Sequence, residues 1–145
     1  MGKQDIRWIQ RFSNYRKAVE KLRNALAEYK DGDMSELEKE GLIQRYEYTF
    51  ELGWKTLQDL LYFRGYVDVK GPTRVLKQAL LDGYIVKEKI WRKMKEAREL
   101  TSHTYDEDKA NEIVEKVASE FFEPLLQLLK KLELEMNKDM NNENT

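Results

Sequence analysis

The chain has 145 residues, 41% of them hydrophobic, enough for one domain with a modest core. With 26 basic against 27 acidic side chains, net charge points to neither a nucleic-acid coat nor a membrane-surface protein. The absence of cysteine excludes disulfides, thiolate metal sites and cysteine nucleophiles. Two prolines and seven glycines leave room for long helices. From Asp5 to about Tyr29, Ile6, Ile9, Phe12, Val19, Leu22 and Leu26 recur at helical spacing and predict a first amphipathic helix. Lys30–Met34, with Gly32, ends it.

Ser35 and Glu38 form a capping-box pattern that opens a second helix running to about Phe63. Its apolar set includes Leu42, Ile43, Tyr46, Phe50, Trp54, Leu57, Leu60 and Leu61. Gly53 inside it costs about 1 kcal/mol relative to alanine, which predicts close approach of another helix there. Glu47 falls on the stripe Ile43–Phe50–Trp54, so a carboxylate is expected at the interior or an interface. Arg64–Pro72 reads as a connector, and Pro72 suits the first turn of a short helix through Val75, Leu76, Ala79 and Leu80. Asp82–Tyr84 stops that helix. Another, about Lys87 to Thr101, presents Ile90, Trp91, Met94 and Ala97.

The last helix is expected near Thr104–Asp108. Thr104 with Glu107 spaces like a capping box, and Asp106 is a competing cap. It continues through Ile113, Val117, Phe121, Leu125, Leu128, Leu129 and Leu132, bent by Pro124. Residues 1–136 form one domain in this reading, and 137–145 a disordered tail. The expected fold is all-α, an antiparallel up-and-down four-helix bundle with a short extra helix. No apolar run has signal-peptide or membrane-spanning length, which predicts a cytoplasmic protein without membrane contact.

No glycine-rich phosphate loop occurs, and a single histidine rules out zinc sites built on two. Asp31–Asp33 and Asp106–Asp108 sit at helix boundaries, where acidic residues serve as caps; no metal site is expected. That leaves "RELTSHTY", Arg98 to Tyr105, which holds the lone histidine. Five helical steps turn a side chain by roughly 140°, so Arg98 and His103 cannot share a face of one unbroken helix. Thr101 and Ser102 compete for backbone hydrogen bonds, which makes a helix end near them reasonable. Arg98 continues the stripe of Trp91 and Met94, so its guanidinium needs an anionic or carbonyl partner, and Glu47 is a candidate. His103 lies four residues after Glu99, within pairing reach if the helix extends that far. Lys87–Arg98 carries six basic and two acidic residues, Asp106–Glu123 seven acidic and two basic. Mutual neutralisation across a solvated surface is the simple account of that asymmetry.

Three stretches in order, Arg7–Leu22, Leu37–Leu61 and Ala97–Ile113, resemble the nucleotidyltransferase substrate-binding proteins, a branch of the HEPN superfamily. "QRYEYTFELGWKTL" and "LTSHTYDE" are the specific blocks, and the resemblance spans about Asp5 to Leu134. It implies a homodimeric bundle that binds no cofactor itself. Beside it works a small nucleotidyltransferase subunit, encoded nearby, that carries ATP or another nucleotide with Mg. This chain lacks the Gly-Ser turn of such an enzyme. The family's arginine and histidine map onto Arg98 and His103, and the tyrosine that receives a nucleotidyl group in some relatives maps onto Tyr105. Thr101, Ser102, Glu99 and Glu47 complete the expected substrate-binding or modification set. The resemblance carries two functions. One is a non-catalytic substrate-binding subunit. The other is a metal-independent ribonuclease toxin acting on RNA and neutralised by its partner. Glu99 stands where active ribonucleases often carry Asn, Asp or His, and its charge would repel RNA phosphate.

Overall fold

The computed structural model describes residues 3–29, 34–101 and 106–143. Among the described residues six α-helices follow one another: α1 (Lys3–Tyr29), α2 (Glu36–Phe63), α3 (Pro72–Leu81), α4 (Glu88–Thr101), α5 (Glu107–Lys116) and α6 (Phe122–Glu143). A π-helical turn, Val117–Phe121, joins α5 to α6. Among the described residues there is no strand.

Side-chain contacts fix the directions. Going up α1, Arg11, Tyr15, Ala18 and Lys21 meet Asp59, Gly53, Thr49 and Arg45, so α2 runs antiparallel to it. Tyr46 and Phe50 of α2 meet Met94 and Trp91 of α4, which reverses direction again. Arg16 and Arg23 of α1 reach Glu133 and Phe122 of α6, again antiparallel. The result is the up-and-down bundle, with α3 as the short extra helix. The core holds the apolar stripes of all four main helices, Trp8, Phe12, Leu22, Phe50, Leu57 and Leu132 among them.

At Gly53 the neighbouring helices approach closely. A Cβ there would lie 3.1 Å from Cε1 of Tyr15 and 3.5 Å from Cδ2 of Leu128, so a side chain would press on α1 and touch α6. Tyr15 is fully buried and its hydroxyl donates to the Leu125 carbonyl at 2.5 Å. Ser35 caps α2 as expected: the Glu38 N–H donates to its hydroxyl (3.1 Å), and its own N–H donates to the Glu38 carboxylate (3.0 Å).

Burial pushes the phenols of Tyr15 and Tyr46 well above the ordinary 10.0. For Tyr46, the Arg98 charge opposes this and the Glu47 charge adds to it. The folded chain therefore holds these two protons more tightly than the unfolded chain. Their contribution to stability is complete below pH about 10 and is lost as pH rises above it. Alkaline unfolding is expected to begin there, with tyrosinate absorbance and loss of helical circular dichroism rising together. Tyr15→Phe should flatten the stability loss per pH unit.

The C-terminal third departs from the expected single bent helix. Pro124 offers no N–H to the carbonyl four residues back, Glu120, and its ring crowds that carbonyl. The chain accommodates this by widening one turn before the proline, where the Phe122 N–H bonds the Val117 carbonyl. At the start of α5, Asp106 is the cap: its extended backbone precedes the helix and its carboxylate accepts from the Lys109 N–H at 2.8 Å. Thr104, the alternative, lies outside the described residues. Helix α6 continues to Glu143, past residue 136, where the sequence reading starts a disordered tail. Near that end Asp139 pairs with Arg64 of the connector at 3.0 Å. Lys87, expected inside the fourth helix, has φ of 63° and stands just before it, its carbonyl accepting from Ile90. Among the described residues no helix is long and apolar enough to cross a membrane.

Candidate functional site

Two antiparallel helices build the site. Tyr46, buried in α2, donates its hydroxyl to the Met94 carbonyl of α4 at 2.7 Å, locking the two helices at the level of the site. Beside this bond α2 presents Glu47, Glu51 and Trp54, while α4 presents Lys95, Arg98 and Glu99.

Arg98 is held by carboxylates of α2. Its Nη1 lies 3.0 Å from Oε2 of Glu47, and its Nε 3.9 Å from Oε2 of Glu51. The second distance is electrostatic contact without a hydrogen bond, and Arg98 Nε–H is buried with no acceptor. Glu51 is shared further: it accepts from the Trp54 indole at 3.2 Å and pairs with Lys55 at 3.6 Å. Glu99 pairs with Lys95 at 2.7 Å. The Thr101 hydroxyl donates to the Arg98 carbonyl at 2.8 Å, in the last turn of α4. Over these groups lies a shallow hollow of about 260 Å³, floored by Phe50 and Trp54 and edged by Pro72, Lys95, Arg98 and Glu99.

The arrangement brings together Glu47 and Arg98, with Glu99 and Thr101 on the same last turns of α4. His103, Ser102 and Tyr105 lie outside the described residues. The chain does not continue from α4 to α5 as one helix, because Asp106 is extended. Glu51, Lys95 and Tyr46 were not singled out as site residues from sequence. Glu51 had a usable signal, since it follows Glu47 by four residues and shares its helix face. Lys95 showed only the i, i+4 spacing to Glu99 that any surface helix offers, and the Tyr46 hydroxyl had no signal, because its partner lies on another helix.

Chemically, the site opposes two cations, Arg98 and Lys95, to three carboxylates. These pairs are half-exposed, so each contributes at most about 1 kcal/mol. Their main effect is on charge: Arg98 is already occupied.

The described chain is therefore a small helical bundle with a charged, arginine-centred hollow between its second and fourth helices. Its sequence matches the family described as "Nucleotidyltransferase substrate binding protein like" over residues 10–134, and the chain belongs to that family. A crystal structure of a protein from Thermus thermophilus is similar, with 33% sequence identity and a TM-score of 0.60, over 77% of this chain and 98% of that one. A comparison with curated proteins gives no match.

Proposed function

We propose that this chain is the substrate-binding subunit of a two-component nucleotidyltransferase system. It acts as a homodimer of the HEPN type and is not catalytic by itself. A small nucleotidyltransferase partner supplies ATP or another nucleotide with Mg, and this bundle presents the acceptor. Tyr105 is that acceptor: its phenol oxygen attacks the α-phosphorus, the phenolic proton leaves, and pyrophosphate departs. Arg98 of one chain and His103 of the other flank it across the dimer, which removes the 140° conflict within a single chain.

The observation that supports this reading over RNA cleavage is the occupation of Arg98 by Glu47 at 3.0 Å, with Glu51 beside it. A ribonuclease needs that guanidinium free to stabilise a phosphorane, with His103 as general acid or base. Carboxylates of the chain itself stand in the phosphate's place.

The test mixes the purified chain with the nucleotidyltransferase from the adjacent reading frame, ATP and Mg, and follows intact mass. One added nucleotidyl group mapped to Tyr105, absent in Tyr105→Phe, with RNA left whole, is the expected result. Metal-independent RNA cleavage that disappears in His103→Ala would replace this reading with the toxin one. A strictly monomeric chain in sedimentation would remove the composite site altogether.

A further inference from the structure

Helix α2 holds two glycines, Gly41 and Gly53, and only one has a reason inside the chain. Gly53 sits against Tyr15 of α1, whereas a Cβ on Gly41 would meet nothing within 4 Å among the described residues. An open glycine inside a helix gives up about 1 kcal/mol relative to alanine, with no contact here to offset it. Two turns further along stands Tyr48, 58% exposed, with no hydrogen bond or ring contact among the described residues. One turn before the glycine, Leu37 is 77% exposed. Leu37, Gly41, Gln44, Tyr48 and Leu52 follow one another at spacings of three and four, so they share one stripe of α2. The stripe carries a hollow at Gly41, a bump at Tyr48 and a bare leucine in the first turn.

Bump and hollow on a single stripe select the occupant. A foreign surface would have to carry the same features in reverse, whereas a second copy of this chain has them already. When two α2 helices meet antiparallel about a twofold axis passing between Gln44 and Arg45, Tyr48 of each copy lands on Gly41 of the other. The same register sets the bare Leu37 of each copy on the half-buried Leu52 of the other. A parallel pair fits badly. There, like residues stand at the same level, so Tyr48 meets Tyr48 and Gly41 meets Gly41.

We infer that the outer stripe of α2 pairs two copies of this chain antiparallel, with Tyr48 of each seated on Gly41 of the other. This rests on the homodimer of the proposed function and names the surface that makes it. The pairing also reaches the site. A twofold axis across the two helices leaves α4 of both chains on the same side of the pair. Glu47, next to Tyr48 in the chain and 3.0 Å from Arg98, lies on that side. The two arginine-centred hollows therefore open on one face of the dimer, as a site shared between chains requires.

The test is sedimentation of the full chain and its variants, with circular dichroism to check folding. Gly41→Gln fills the hollow with a good helix former, and Tyr48→Ala removes the bump. Neither position is buried in the single chain, so helix content should hold. Each variant alone is expected to raise the dimer dissociation constant about tenfold or more. The double variant Gly41→Gln/Tyr48→Ala should recover most of that loss, because the longer side chain meets the space that the tyrosine left. An equimolar mixture of the two single variants should also recover dimers, through one native contact and one refilled one. Single variants that dimerise like the parent, or a double variant whose loss is the sum of both, overturn the inference and leave a homodimer through another surface in place. A parent chain that stays monomeric at every concentration removes the dimeric reading and this inference together. Dimers that persist in the single variants but no longer bind the nucleotidyltransferase subunit overturn it too, and give the stripe to that subunit.

Discussion

Gly53→Val is expected to lower the stability of the bundle by about 2–3 kcal/mol. Overpacking a close helix contact costs about 1–3 kcal/mol, and here the upper end applies. The atom in the way is Cε1 of Tyr15, 3.1 Å from where even a first carbon would sit. Tyr15 cannot retreat, because it is fully buried and its hydroxyl is bonded to the Leu125 carbonyl. Better helix propensity returns only a few tenths of a kcal/mol. Gly41 supplies the control: it lies in the same helix with nothing within 4 Å of its would-be Cβ. Gly41→Ala should therefore stabilise the chain by about 1 kcal/mol. Urea unfolding of the two variants side by side separates the packing cost from the helix term. Equal and positive shifts would show that α1 can give way at Tyr15.

The second large effect concerns charge at the site. In the double variant Glu47→Gln/Glu51→Gln, Arg98 loses both anionic neighbours while the glutamines keep the shape of the hollow. Two half-exposed contacts of at most about 1 kcal/mol each no longer compete with an incoming anion. Affinity for inorganic phosphate or a mononucleotide should rise about tenfold, measured by calorimetry at low salt. The companion Arg98→Met should bind neither, with or without the glutamines. An unchanged phosphate affinity in the double variant would mean that these carboxylates do not govern the arginine.

Much of the fold could be read from the residues because the signals are local. The capping box at Ser35, the glycine at 53 and the apolar stripes each depend on neighbours within a turn or two, or on a stripe that must be covered. Glu47 was legible for the same reason: a carboxylate on an apolar stripe requires a cation, and Arg98 was the arginine on the facing stripe. What escaped depends on distant or collective geometry. Asp139 ties the end of α6 to Arg64, which lies in a connector far earlier in sequence. The widened turn at Val117–Phe121 leaves no trace in periodicity, since the apolar residues keep their three-and-four spacing straight through it. Lys95 completes the hollow from a position that looks like an ordinary surface charge.

That widened turn also divides the C-terminal third into two cooperative units. A regular helical ladder transmits protection from one turn to the next, whereas a π turn followed by a residue without an N–H breaks the relay. Helix α5, whose buried residues are Ala110 and Val114 alone, can open while α6 stays held by the Tyr15 hydroxyl on its Leu125 carbonyl and by the buried Leu125, Leu128 and Leu132. Amide exchange in α5 would then be faster than in α6, and α5 is the helix that leads directly out of the Arg98–Tyr105 segment. The proposed acceptor tyrosine thus precedes in the chain a helix that buries only Ala110 and Val114, and a partner that slows amide exchange in α5 without slowing it in α6 would be acting through this end of the bundle.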